Sequence, residues 1–463
     1  MARKRNRQQT GGDVVRGTMI DLVDEKNSHI SNFAEFERSM NGRHPWLASL
    51  RKDALARFEA LGLPTTRDEQ WRFTNISPIA GTAFRPADPK PDSLTVADIS
   101  SYTLCEARCT QLVFLNGSYS ENLSTVKFLP KGVRIISLAK ALETDRELLE
   151  PLLLNSLSED DAFRALNTAF MSDGAFVYLP PGTTVKEPIH LLFLSSSRTD
   201  PTASFPRNII VLDEGSQADI VESYAGLDRG IYFTDSVTQV LIGPNCSVGH
   251  YKLQRESPSS FHLTTLHVVQ DRDSSYSSHS VSLGGAITRN NFNVVLNGSG
   301  ADCELNGLYV TKGHQHVDNH TTIDHAMPNC TSRELYKGIL DENSTGVFNG
   351  RVVVRKDAQK SNARQTNKNL LLSRHAGINT TPQLEIFADD VKCAHGATIG
   401  QLNEEELFYL RSRGIDRDAA RTLLTYAFAS EMLAAIKIKP IQCQIDLVLM
   451  NRLSRHETTR GLP

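Results

Sequence analysis

Cys393 and His395 stand one residue apart in the run Val391-Lys-Cys-Ala-His-Gly396. Residues i and i+2 of an extended strand share a face, so a thiol and an imidazole would lie side by side there. Such a pair suits a soft metal ion or a sulfur-bearing intermediate, yet it fills only half of a tetrahedral shell. The other ligands would have to come from a second surface, a substrate or sulfide. The alternative turns Cys393 inward as a small hydrophobe and leaves His395 to satisfy backbone groups.

A second grouping is His314, His316, Asp318 and His320, followed by His325 and Cys330. If residues 314–320 form one continuous strand, the first four share a face and His325 takes the opposite parity. Imidazole and carboxylate suit zinc or ferrous iron. Neutral imidazoles can equally hydrogen-bond across turns or pack at a subunit interface. Cys105 and Cys109 form a C-x-x-x-C pair with no second pair to complete a zinc site. Cys246, Cys303 and Cys330 read as interior fillers, and Cys443 as packing near the end of a helix. The chain has no G-x-x-x-x-G-K-[ST] phosphate loop, no G-x-S-x-G, no dinucleotide fingerprint and no carboxylate pair set apart as general acid and base. No catalysis by this chain alone is expected.

The elements that must position these residues change character twice. Residues from about 30 to 62 carry Phe33, Phe36, Trp46, Leu47, Leu50, Leu55 and Phe58 at three- and four-residue steps, which predicts helix ended by Gly62 and Pro64. Asp68-Glu-Gln-Trp-Arg-Phe-Thr74 follows, with Trp71 and Phe73 expected to anchor this small unit. Pro78, Pro86, Pro89 and Pro91 then mark a linker. From about 110 to 400 short apolar or alternating runs, such as Gln111–Leu115, Ile209–Leu212, Phe292–Leu296 and Val352–Val354, are broken by Gly, Asn, Asp and Ser. Several follow a turn, a small residue, and an aliphatic two positions on, with Ala218, Cys246 and Cys303 in equivalent places. Imperfect repetition of this kind suggests a β-solenoid, although a sandwich would alternate similarly. Beyond Gln401 helix returns: Asn403 can cap one helix with Glu406 at the capping-box position, and Gly414 can end it. Asp416 can cap a second with Leu424, Phe428, Met432, Ala435 and Ile436 on one face, stopped by Pro440. Beyond about Met450 a polar, loose tail is expected. The predicted organisation is 1–95 for a basic tail, helical unit and linker, 96–400 for the solenoid, and 401–463 for a C-terminal helical domain.

A length of 463 residues allows two or three domains, or one long repeat domain. A net charge of -3 and a pI near 6.5 give no reason to expect nucleic acid or anionic membrane as a partner. Seven irregularly spaced cysteines make no disulfide framework and fit a reducing, cytoplasmic setting. The basic run Met1–Arg7 has no apolar core after it, so it reads as a tail rather than a secretory signal.

Gln383 to Ile415, with Glu406-Leu-Phe-Tyr-Leu-Arg-Ser-Arg-Gly-Ile415, resembles the SufB/SufD family of iron-sulfur cluster assembly scaffolds. So do Asp68–Thr74, His314-Gln-His-Val-Asp-Asn-His320 and Ser332-Arg-Glu-Leu-Tyr-Lys-Gly338, in the same order along nearly the whole chain. The resemblance implies a mainly β fold, a right-handed parallel β-helix flanked by small helical domains. It implies a non-catalytic subunit that pairs with a SufB-like scaffold and a SufC-like ATPase, or with a second copy of itself when alone. No tightly bound cofactor is implied, only transient iron or a nascent cluster where the two scaffolds meet, with His395 and Cys393 at that interface. Where SufB is expected to carry Glu after this His the chain has Gly396, which sets it apart from that branch. The ATPase would dock on the segment carrying Phe408, Tyr409, Leu410, Arg413, Gly414 and Ile415; the alternative packs Phe408 and Leu410 onto the solenoid. The rival functions are a β-helix carbohydrate-active enzyme and a stand-alone metalloprotein centred on His314, His316, Asp318 and His320.

Overall fold

Six successive turns along one edge of the coils pass through a residue with left-handed backbone: Gly215, Asn245, Asp273, Gly300, Asn329 and Lys360. Glycine takes that conformation without cost, and Asn and Asp tolerate it better than other side chains. Directly after each comes a small residue: Ser216, Cys246, Ser274, Ala301, Cys330 and Ser361, every one of them buried. Their carbonyls accept from the next coil in unbroken succession, Ser216 from Ser247, Cys246 from Ser275, Ser274 from Asp302, Ala301 from Thr331, Cys330 from Asn362 and Ser361 from Lys392. A left-handed corner followed by a small residue is therefore the unit that repeats.

The computed structural model describes residues 33, 36–38, 45–87, 94–104, 109–127, 129–154, 161–197 and 200–454. The strands form two sheets of 11 and 10, and from the strand Arg207–Leu212 onward they enter them alternately, so that chain neighbours belong to opposite sheets. Pairing between coils is parallel and in register: Ile287 lies beside His316, and His316 beside Thr345. The result is a parallel β-solenoid of about eight turns. Between the sheets runs an apolar core that includes Phe114, Phe193, Tyr224, Tyr276, Phe292, Tyr309, Tyr336 and Phe348.

This register corrects the predicted phasing of the repeat. Ala218 pairs with Val248, Val248 with Tyr276 and Tyr276 with Cys303, so Ala218 and Cys303 are equivalent as expected. Cys246 falls two positions earlier, in the small-residue ladder with Cys330. Three helices, Leu138–Thr144, Arg146–Leu154 and Ala162–Phe170, also interrupt what the sequence presents as continuous strand. The last is buried at all nine of its residues, and its polar stripe of Arg164, Asn167 and Thr168 meets polar partners, Asn167 donating to the Pro206 and Asp235 carbonyls.

At the N-terminal side the helix Pro45–Leu61 ends at Gly62, whose left-handed backbone lets its N–H reach the Phe58 carbonyl at 2.8 Å. Trp71 is buried and its ring meets Phe163 at 5.4 Å, whereas Phe73 is 45% exposed with the Arg72 guanidinium 5.6 Å over its ring. The proline-rich linker contributes a two-residue strand, Arg85–Pro86, paired with Thr202–Ala203. Pro89 and Pro91, like Met1–Arg7 and Cys105, lie outside the described residues.

At the C-terminal side Asn403 caps Glu404–Ser412 by accepting from the Glu405 N–H, and Asp416 caps Arg417–Ala434 by accepting from Asp418 and Ala419. The second helix ends at Ala434, ahead of Pro440, which sits in the first turn of a third helix, Lys439–Ser454. Proline is tolerated there because first-turn N–H groups have no intrahelical partner. Cys443 is consequently exposed on this third helix, not packed at the end of the second, and helix continues past Met450 to Ser454. Ile441, Ile445 and Leu449 bury their face with Met432, Leu433 and Ile436 against Tyr251, Leu253 and Leu308 of the solenoid. Among the described residues no helix is long and apolar enough to cross a membrane.

Candidate functional site

Cys393 and His395 lie on Lys392–Gly400, the last strand of the second sheet. Cys393 pairs with Ala363, His395 with Gln365 and Ala397 with Asn367. Those three partners are buried and face the solenoid interior. Cys393 and His395 therefore have interior parity, yet His395 is exposed and Ile399, two rungs further on the same face, is 51% exposed. Gly377–Ile386, the other sheet's last strand, is mostly half-buried but opens to solvent at its end, with Ile386 at 41% and Phe387 after it at 62%. The solenoid stops with its interior face open.

Cys393 is half-buried and packs against the cluster of Val352, Val354, Ala358, Ala363 and Ala388. Burial pushes its thiol above the ordinary value, opposed by a hydrogen bond from the Ala363 backbone. A thiol so held stays protonated until a cation or nearby positive charge draws the proton off. A Cβ added at Gly396 would meet nothing within 4 Å, so neither packing nor backbone demands glycine beside His395.

The histidine grouping is arranged differently from the single strand expected. The strand begins at His316, and His314 is exposed on the turn before it. His316, Asp318 and His320 do share the outer face, but Asp318 is already paired with a cation from the same protein, Arg289. The Asp318 carboxylate accepts from Arg289 at 2.5 Å, from Thr74 at 2.6 Å and from the ring of His320 at 3.0 Å. His316 Nε2 lies 2.9 Å from the same Thr74 hydroxyl. Arg289 also donates to the Gln70 carbonyl at 2.8 Å and lies 3.8 Å over the Trp71 ring. Burial alone would raise the Asp318 carboxyl; Arg289, His320 and Thr74 more than reverse that and hold it well below the usual range. Among the described residues no three His, Cys, Asp or Glu side chains are grouped to hold a metal ion. His325 has the opposite parity, as expected, and is buried with its ring 2.8 Å from Ser332 Oγ. Beside the clamp a polar groove of about 890 Å³ runs between Leu61–Trp71 and the outer sheet face, floored by Asn291, His320 and Asn349.

Sequence reasoning missed a charged network inside the solenoid. Lys252 Nζ lies 2.9 Å from His262 Nε2 and 2.8 Å from Asn290 Oδ1, while Glu256 holds the other ring nitrogen of His262 at 2.7 Å. Burial lowers Lys252 to about 8, against the pull of Glu256 and Glu222. The signal available was the charge itself, at interior parity on strands that otherwise alternate.

On the first C-terminal helix Leu407 is buried, whereas Phe408 is 72% and Tyr409 57% exposed. The Arg413 guanidinium lies 5.3 Å over the Tyr409 ring, and Gly414 takes the left-handed backbone that ends the helix. Leu410 and Ile415 are half-buried. Phe408 does not pack onto the solenoid, and a Phe, a Tyr and an Arg stand together on an outward face.

Comparison with known proteins gives two family matches. The SufBD core domain of SUF-system FeS cluster assembly matches residues 193–428, and the SufBD protein N-terminal region matches 23–191. A relative from Synechocystis, described as an iron-sulfur cluster assembly SufBD family protein, is 38% identical over 86% of this chain and 89% of its own. The iron-sulfur cluster assembly protein SufD of Escherichia coli is 30% identical over 85% of this chain and 90% of its own. The chloroplastic protein ABCI7 of Arabidopsis thaliana is 33% identical over 82% and 81% respectively.

Proposed function

The chain belongs to the SufB/SufD family of iron-sulfur cluster assembly proteins, and from that premise we propose that it is a scaffold subunit whose open terminal coil is completed by a SufB-like partner. The observation that carries this is the exposure of His395 on an interior-facing column that ends at solvent. A sheet edge with unpaired backbone groups and exposed Ile386, Phe387 and Ile399 is a template for strand addition. A partner strand laid there brings its own side chains over Cys393 and His395 and supplies the missing half of the ligand shell. Imidazole is an accepted substitute for thiolate at iron-sulfur centres, and a mixed set suits a cluster that must later leave.

In this reading iron, sulfide or the nascent cluster is cargo, and bond-making belongs to the assembly rather than to this chain. A SufC-like ATPase docks on the outward face of Phe408, Tyr409 and Arg413, a composition suited to an interface anchor. Nucleotide turnover in that partner shifts the assembly between open and closed states by binding them unequally. When the chain is alone, the same edge admits a second copy. The experiment is anaerobic reconstitution of the complex with SufB-like and SufC-like subunits. His395→Ala should leave the complex assembled and depress iron and sulfide incorporation; full incorporation in that variant removes His395 from the mechanism.

A further inference from the structure

One rung below His395, Gln365 is 1% exposed and faces the interior. Its Nε2 donates to Glu334 Oε2 at 2.7 Å, and Glu334 is the buried residue one rung lower in the same column. Across the core the carboxamide occupies space left by Gly350, where an added Cβ would come within 2.3 Å of Nε2. The site is thus shaped around this amide. Burial pushes the Glu334 carboxyl up to about 7, so on the alkaline side of that value it is ionised, offers only acceptors, and Gln365 must present its nitrogen downward to it. The other amide atom, Oε1, is buried and has no hydrogen-bond partner among the described residues. Buried acceptors are ordinarily satisfied. The rung above it holds His395, with the same parity and an exposed side chain able to turn down onto it.

We propose that Gln365 is the positioning residue for His395, its Oε1 accepting one ring N–H so that the other ring nitrogen presents its lone pair to the open end. An imidazole that donates through one nitrogen is fixed in tautomer and orientation for whatever meets the other. Glu334 and Gly350 serve by holding the carboxamide in place. This inference rests on the reading that His395 acts at the open end, and its test separates the two. The chain is labelled with ¹⁵N-histidine and the ring signals of His395, identified by their loss in His395→Asn, are recorded on the alkaline side of the imidazole titration. One tautomer should dominate in the native chain, relax toward the free-imidazole mixture in Gln365→Leu, and be retained in Gln365→Glu, whose carboxyl shares one proton with Glu334 and keeps its other oxygen as an acceptor. Gln365→Met, which fills the space beside Gly350 without an acceptor, should behave as Gln365→Leu does and guards against a folding defect in either. Unchanged tautomer in both apolar variants overturns the proposal. In the full complex the apolar variants should lower cluster formation by about 10–100-fold, the usual effect of losing such a support, with Gln365→Glu restoring it. A tautomer that responds while cluster formation does not would leave Gln365 as the positioning residue and overturn the role given to His395.

Discussion

Asp318→Ala should release the N-terminal unit from the solenoid wall without melting the wall itself. The carboxylate is fully buried and Arg289 is 1% exposed, so the substitution strands a guanidinium away from water. Breaking a buried pair from one side costs about 3–5 kcal/mol. Arg289 retains the Gln70 carbonyl, Asn291 and the Trp71 face, which places the expectation at the lower end. A loss of about 3 kcal/mol is a little over a hundredfold in the local opening equilibrium. Amide hydrogen exchange reads this directly, because the Trp71 and Thr74 N–H groups are bonded within the clamped segment, to Asp68 and Trp71 carbonyls. Their exchange should accelerate by about that factor, while amides of the strand Thr331–Leu340 keep native protection. Arg289→Met combined with Asp318→Ala should recover part of the loss, since no charge is then left uncompensated. The sign with pH follows from the depressed carboxyl. Its contribution is fully present above the unfolded value of about 4 and is lost only as pH falls through the lower folded value. Exchange at Trp71 and Thr74 within threefold of the native rate in Asp318→Ala would refute the clamp.

Glu334 titrates in the opposite sense: burial, opposed by Thr321 and Gln365, pushes its carboxyl up to about 7, so stability falls as pH rises from the unfolded value toward 7. Glu334→Gln should flatten that slope and raise stability by up to about 3 kcal/mol above pH 7, measured by denaturant titration across pH. Gly307→Ala would bring a Cβ within 2.1 Å of the buried Tyr336 ring, and overpacking of this kind should cost about 1–3 kcal/mol in the same assay. Phe408→Ala with Tyr409→Ala should leave the melting temperature unchanged, because both side chains are in water, yet weaken ATPase binding by at least about 2 kcal/mol in calorimetry.

The strand runs, the helix caps at Asn403 and Asp416 and the shared strand face of Cys393 and His395 were legible because each is local: a parity, a cap or a turn residue states itself within a few positions. What escaped was set by partners distant in sequence. Cys246 was misphased because its place is defined by the corner at Asn245 and by Ser275 in the next coil, not by the aliphatic two positions on. The helix Ala162–Phe170 is the exception: Arg164, Asn167 and Thr168 recur at i, i+3 and i+4, a local signal that nine residues among short strand runs made easy to pass over. The histidines at 316 and 320 suggested a metal because the sequence does not say that Arg289, Thr74 and Trp71 converge on Asp318. Gln365 carried no signal at all; its meaning lies in the rungs above and below it. The family resemblance supplied what spacing could not, namely the family itself, which the two family matches bear out.

Thiol protection tests most directly whether the open coil is where the partner sits. Cys393 is half-buried at that face and Cys443 is exposed on the third C-terminal helix, so one chain holds both probe and control. Alkylation of the isolated chain, diluted until it is monomeric, followed by mass spectrometry of the cysteine peptides, should modify both. With a SufB-like subunit bound and the ATPase omitted, Cys393 should become protected while Cys443 stays reactive. Undiminished labelling of Cys393 in a complex verified as stoichiometric would contradict the account, because the partner would then be bound elsewhere.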